Sequence, residues 1–196
     1  MRAAIERAID LYFLDESGFA PTLPLSYTWA REGVRALVPY VAPQGRRVNV
    51  LGALAPYGPA PRLTYHSRTG KIDSAAFLAF LWRDVAGLPD APEHLPAGYR
   101  RARPCVIVLD NYSVHRSVAV KEVLPALEAV GVTFFYLPPY APELNAIEAL
   151  WRHIKHEDMP VRSYDTADAL KTAVDAVLDD HVAQIAQSTM SLPQAA

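Results

Sequence analysis

The chain has 196 residues, of which 51% are hydrophobic and 20% charged, enough for one well-buried core and too few for two full domains. A formal net charge of −2 excludes a uniformly basic, histone-like protein, yet it permits a basic groove facing nucleic acid with acidic surface elsewhere. The single cysteine, Cys105, excludes an internal disulfide, and its place in the apolar run "CVIVL" predicts a small buried hydrophobe in a reducing compartment.

The N-terminus "MRAAIERAIDLYFLDE" meets acidic residues too early for a secretory leader, and no run approaches the roughly 18 apolar residues of a membrane span. The expectation is a soluble, cytoplasmic protein. Residues 9–14, "IDLYFL", are apolar with little alternation, which predicts a strand covered on both faces and ending at "DESGF". "SYTWA" (26–30) and "RRVNVLGALA" (46–55) are strand-like, so an antiparallel meander of three strands is expected. "IDSAAFLAFLWRDVAG" then sets Phe77, Leu78, Leu81 and Val85 at helical spacing, with Gly87 as the stop.

Residues 87–104 are rich in proline, glycine and charge and read as a surface loop with a basic end. "PCVIVLD" is a short strand ending in Asp110. A helix over 113–131 follows despite Pro125 and closes at Gly131, and "VTFFYL" is a further buried strand. A helix from about Asn145 to His156 and a final amphipathic helix over about 165–186, capped by Asp165 or Thr166, complete the order. The last ten residues read as frayed. The pattern is that of a single α/β domain, residues 1–196, with a mixed sheet of about five strands flanked by helices.

Asp15 and Asp110 each follow an apolar strand at its carboxyl edge, where open α/β sheets place ligand sites. Each alone reads equally as a turn starter or helix cap. If the strands are parallel neighbours, the carboxylates converge, and hard oxygen ligands with few His or Cys nearby suit Mg²⁺ or Mn²⁺. Glu148 is a third candidate with a bland alternative, because Asn145-Ala-Ile-Glu148 matches a capping box with Asn145 as N-cap. Ile147, Leu150, Trp151 and Ile154 form the apolar stripe of that helix, so Glu148 on its flank can also reach a cleft.

"LYFLDESGF", "IVLDNYSVH" and "LPPYAPELNAIEALWRHIK" resemble the three signature blocks of DDE transposases of the mariner-like superfamily, particularly the bacterial insertion-sequence branch. "TWAREG" and "RRVNVLGAL" are similar to the family between the first two blocks, and the resemblance covers about residues 10–158. It implies a ribonuclease H-like fold, with Asp15, Asp110 and Glu148 as the catalytic, metal-holding acids. The separation of 110 and 148 is close to that of the superfamily. Glu143 falls on an acidic position that is not a metal ligand. Ala146 stands where the family usually has proline, a change that the first helical turn accepts.

The implied activity is metal-dependent cleavage at transposon ends followed by strand transfer of the freed 3′-hydroxyl into target DNA, with TA dinucleotides as the expected target. The implied cofactor is a pair of Mg²⁺ ions, for which Mn²⁺ would substitute, about 3.5–4 Å apart. Asp15 would bridge them and Glu148 would complete one shell. Asn111, His115 and Asn145 would orient ligands or a phosphate, although His115 reads equally as a polar residue in a first helical turn.

A phosphate track is expected from Arg46, Arg47, Arg68, Lys71, Arg100, Arg101, Arg103, Arg152 and Lys155, each of which also reads as solvated surface charge. Trp29 and Trp151 read as core aromatics. The family's N-terminal helix-turn-helix domain is expected to be absent, since barely nine residues precede the first strand. That suggests a split-frame product, a truncated element or an excised catalytic domain, and a homodimer or a helix-turn-helix-containing half as partner beside DNA. A non-catalytic remnant that regulates by dimerisation or DNA binding is the alternative. A junction resolvase fits the acids but not "PELNAIEALW".

Overall fold

The computed structural model describes residues 1–22, 31–35, 47–58, 60–160 and 163–188. Among these residues five strands, β1 (Asp10–Phe19), β2 (Val48–Ala55), β3 (Arg62–Thr69), β4 (Cys105–Leu109) and β5 (Val132–Tyr136), form one sheet in the order β3-β2-β1-β4-β5. β1, β2 and β3 pair antiparallel as a meander, while β4 runs parallel to β1 and β5 parallel to β4. A mixed sheet of five strands is what the sequence predicts, although not from the same five segments.

A short turn, α1 (Arg2–Ile5), precedes the sheet. α2 (Ser74–Ala79) continues as a π-helical turn over Phe80–Val85, α3 spans Val118–Ala129, α4 (Ala146–His153) continues as a π turn over Ile154–Asp158, and α5 spans Ala167–Ser188. On one sheet face Tyr12, Leu14 and Ile107 pack with Phe77 and Leu81 of the α2 segment and Val120 and Leu127 of α3. On the other, Phe13, Val50 and Val108 meet Ile147, Trp151 and Ile154, with Leu170, Val174 and Leu178 of α5. β1 is therefore covered on both faces, which is why its sequence runs apolar without alternation.

Local chemistry sets the helix ends. Asp73 accepts from Ala76 N at 2.8 Å to start α2, Ser117 caps α3, and of the two cap candidates for α5 it is Thr166 that accepts from Ala169 N, at 3.1 Å. Gly131 closes α3 at a φ of +88°, the left-handed conformation that glycine adopts without a Cβ penalty.

The structure departs from the sequence reading at several elements. The first strand does not end at Asp15 but runs to Phe19, because β2 keeps pairing with it from Phe13 to Phe19 after β4 has stopped at Phe13. The third strand of the meander is β3, for which the sequence offers no strand signal, whereas "SYTWA" and Trp29 lie outside the described residues. β3 is a largely polar edge strand, so its sequence carries little apolar alternation. Of its inward residues only Leu63 is plainly apolar and buried; Tyr65 packs its ring against the α5-side core while its hydroxyl donates to Asp179, and Ser67 donates to Asp175.

The 87–104 segment is no simple surface loop, since Leu88, Ala91 and Pro92 are buried. The helix predicted over 113–131 begins only at Val118, after turns. β5 is an edge strand rather than a buried one: Phe135 is 58% exposed, because only the alternate residues face the α2–α3 core. Cys105 is fully buried as predicted, and burial pushes its thiol up to about 12. Of the last ten residues, predicted to fray, Gln187 and Ser188 still belong to α5, and 189–196 lie outside the described residues.

Candidate active site

Strand register brings the first two acids together. β1 and β4 pair in parallel from Asp10↔Cys105 to Phe13↔Val108, and two further steps along both strands reach Asp15 and Asp110. Asp15 thus stands past the end of β4 but in the middle of β1, opposite Gly52 of β2. There it is only 8% exposed. Burial, then the Glu148 carboxylate and then that of Asp110 raise its pKa from 3.8 to about 7, against the opposing Glu16 N–H and His115.

Glu148 enters from α4. Its helix can lie close over the sheet because Gly52 has no side chain: a Cβ there would stand 2.4 Å from the Trp151 indole and 3.0 Å from Ile147. Trp151 is buried, as predicted for a core aromatic. The capping-box reading of Asn145 is corrected. Asn145 occupies the N-cap position, but its side chain makes no cap hydrogen bond. It is buried instead, and Nδ2 donates to the Leu14 carbonyl at 3.1 Å. The reason is competition: the Leu14 carbonyl of β1 lies within reach of the amide, while the Glu148 N–H is already bonded to the Asn145 backbone carbonyl at 3.0 Å. The start of α4 is thereby fastened one residue from Asp15.

Asp110 is held from the opposite face. His115 has no exposed surface and lies against the Phe77 ring at a centroid distance of 4.8 Å. Its Nδ1 meets Asp110 Oδ1 at 2.9 Å, and the same oxygen accepts from Tyr112 N at 2.9 Å. The His115 bond, followed by the Tyr112 N–H, outweighs burial and holds the Asp110 carboxyl below its ordinary value. Both bonds fall on Oδ1. His115 is thus a buried support from the turn before α3 rather than a residue of a first helical turn. Asn111 donates to the Leu137 carbonyl at 2.6 Å and accepts from Arg116 at 3.0 Å, which ties the β4 exit to the β5 exit.

The sequence reading did not single out Glu16. It points to the α2–α3 face, where Oε1 lies 4.0 Å from His115 Nε2 and burial raises its pKa. The available signal was parity: in a strand, residue 16 must face away from residue 15 and toward the core that Leu14 joins. Asp110, Asn111, Asn145 and Glu148 line a cleft of about 440 Å³ walled by the 137–142 turn. Glu143, on the short helical turn Pro142–Leu144, is exposed and does not line it.

The basic residues separate into two groups. Lys155 is half-buried on the π turn after α4, with Nζ 5.4 Å from the centre of the Phe19 ring. Burial lowers its pKa while Glu148 and Asp15 raise it, so it belongs to the electrostatics of the acids. Arg47, Arg68 and Lys71 flank the paired ends of β2 and β3 that lie beside Phe19, beyond Asp15. Arg101 and Arg103 are elsewhere. They bind the two oxygens of Asp10 at 2.9 and 3.1 Å, and Arg101 also donates to the Ala86 and Arg103 carbonyls. Asp10 opens β1 five residues before Asp15, about 16 Å away along the strand. Arg100 is exposed on that same distal segment, Arg152 is exposed on α4, and Arg46 lies outside the described residues.

A family model described as DDE superfamily endonuclease matches residues 10–171. An insertion element IS630 uncharacterized 39 kDa protein of Shigella sonnei is 28% identical over 166 residues, covering 76% of this chain and 41% of that protein. Among solved structures, the Mos1 transposase paired-end complex with left transposon end matches 93% of this chain and 54% of that one, with a TM-score of 0.59 and 13% identity. The catalytic domain of Mos1 mariner transposase matches 89% of this chain and 70% of that one, with a TM-score of 0.52 and 15% identity. The Mos1 mariner paired end complex with Mn matches 92% and 51%, with a TM-score of 0.58 and 14% identity. These likenesses establish the ribonuclease H-like fold. The chain spans less than half the length of the Shigella relative and about half of the Mos1 chains in the complexes.

Proposed function

The chain belongs to the DDE superfamily endonucleases, and from that premise we propose that it is the catalytic domain of a transposase. It would hydrolyse a phosphodiester at the end of a mobile DNA element and join the freed 3′-hydroxyl to target DNA. The observation that carries this reading is the meeting of Asp15, Asp110 and Glu148 from three separate elements, with Asp15 buried among like charges. A buried carboxylate pushed up to about 7 by burial and a neighbouring carboxylate is an arrangement that a cation relieves, and an all-oxygen donor set suits Mg²⁺ or Mn²⁺. Asp15, Asp110 and Glu148 would hold two such ions, which supply Lewis acidity to the attacking and leaving oxygens of an in-line displacement.

The chain's own residues supply position. His115 and Tyr112 N occupy Asp110 Oδ1 and leave Oδ2 to the cation, while Asn145 fixes the helix that presents Glu148. Lys155 beside the acids, with Arg47, Arg68 and Lys71 at the Phe19 end of β1–β3, fits a phosphate track, although Arg68 also pairs with Asp73 at 3.9 Å; Arg101 and Arg103 are both held by Asp10 at the opposite end of β1. Transposon-end DNA is bound in the Mos1 paired-end complex, and DNA of that kind is the partner proposed here. A homodimer or a helix-turn-helix-containing half would then supply recognition of the element's ends, in a bacterial cytoplasm. The non-catalytic alternative draws no support from a site in which all three acids remain.

The test is cleavage and strand transfer of pre-cut element-end duplexes with Mn²⁺, the ends being taken from the DNA that flanks the gene. Glu148→Gln and Asp110→Asn should each abolish the activity. Persistent metal-dependent activity in Asp110→Asn would overturn the assignment.

A further inference from the structure

We infer that the chain carries a second metal site, unrelated to the three acids, formed by His153, Asp158 and His181 and suited to Zn²⁺ or a similar transition metal. Asp158 Oδ2 lies 2.8 Å from His181 Nε2 and 3.4 Å from His153 Nε2, and the three potential ligand atoms lie within 4.8 Å of one another. A tetrahedral site with bonds of about 2.0–2.2 Å sets its ligand atoms roughly 3.3–3.5 Å apart. The His153–Asp158 edge, at 3.4 Å, already has that length, and the His181–Asp158 hydrogen bond at 2.8 Å opens by about 0.5 Å to reach it. The third closes by rotation of His153, whose side chain is 55% exposed.

The backbone points to the same place. In an α-helix, residues five apart diverge by about 140° around the axis, so His153 and Asp158 would face different ways. The helix instead widens into a π turn over Ile154–Asp158, where Met159 N bonds the Ile154 carbonyl at 2.9 Å. That winding, often found at functional sites, brings Asp158 back under His153. His181 meets them from α5, its side chain only 11% exposed, with the two imidazoles edge to face at 5.9 Å.

Among the described residues no lysine or arginine pairs with Asp158; both of its ion-pair partners are imidazoles. Two nitrogens and one carboxylate oxygen select a borderline ion of the zinc type over Mg²⁺, with a fourth position open to water. A bound ion would clasp the end of the α4 segment to α5 and so brace the helix that carries Glu148.

The experiment uses the full chain with Asp110→Asn and Glu148→Gln, which disable the acid site, after removal of metal by a chelator. Calorimetric titration with Zn²⁺ should show one equivalent bound and a raised melting temperature, and Co²⁺ should give visible bands of a four-coordinate ion. Excess Mg²⁺ should displace neither. His153→Ala, an exposed position, and His181→Gln should each remove the binding and the thermal shift, with folding checked by circular dichroism. Zn²⁺ stoichiometry unchanged by His153→Ala, or no Zn²⁺ bound by the folded chain, would overturn the site and leave a hydrogen-bonded His–Asp–His cluster. Neither result touches the transposase assignment, which rests on the other three acids.

Discussion

Replacing Asp15 with asparagine should make the metal-free protein more stable, and the size of the gain should depend on pH. The fold raises the Asp15 pKa from 3.8 to about 7, so the folded state holds a proton that the unfolded state releases. Stability from this group is full below about pH 4, falls as pH rises between the two values, and stays low above pH 7. At about 1.4 kcal/mol per unit, a shift of about three units corresponds to about 4 kcal/mol of destabilisation at pH 8. Asparagine has almost the same shape and no charge to desolvate.

Urea unfolding in EDTA across pH 4 to 8 should show Asp15→Asn close to wild type at pH 4 and ahead of it by up to about 4 kcal/mol at pH 8. Saturating Mn²⁺ should then stabilise wild type at pH 8 and leave the variant nearly unmoved, since a cation removes the repulsion that the mutation already removed. A stability difference that stays flat across this range, or an Asp15→Asn protein less stable than wild type at pH 8, would refute the reasoning that burial and Glu148 dominate this carboxylate.

Two further outcomes separate packing from local chemistry. Asparagine and aspartate are equivalent N-caps, so a capping role predicts that Asn145→Asp changes stability by only a few tenths of a kcal/mol. Loss of the Nδ2 donor to Leu14 instead predicts a loss of about 1–3 kcal/mol with impaired strand transfer, read by urea unfolding and a transfer assay. Gly52→Ala puts a methyl group 2.4 Å from the Trp151 ring, and overpacking of this kind costs about 1–3 kcal/mol. Shifted tryptophan fluorescence and a fall in cleavage larger than the fall in folded fraction should accompany it, because Trp151 and Glu148 share α4.

The sequence by itself singled out the three candidate acids and most of the elements that carry them. Unalternating apolar runs end beside Asp15 and Asp110, and a helix begins just before Glu148; these are local patterns, carried by residues near one another in the chain. The blocks around the acids made the family legible for the same reason. β3 was illegible because an edge strand that faces a polar seam on α5 has little apolar alternation to show.

Tertiary structure decided how those residues act. Asp15 lies in mid-strand because β2 continues to pair where β4 has ended, and its raised pKa follows from a helix that crosses the sheet over Gly52. Asn145 acts on a carbonyl 131 residues away, so no capping pattern could reveal its partner. Arg101 and Arg103, read as a basic end of a loop, are taken by Asp10 at the start of the central strand, the end away from Asp15. Hydrophobic periodicity and turn chemistry are written over a few residues, whereas register, burial and the pairing of charges depend on which distant segment arrives alongside.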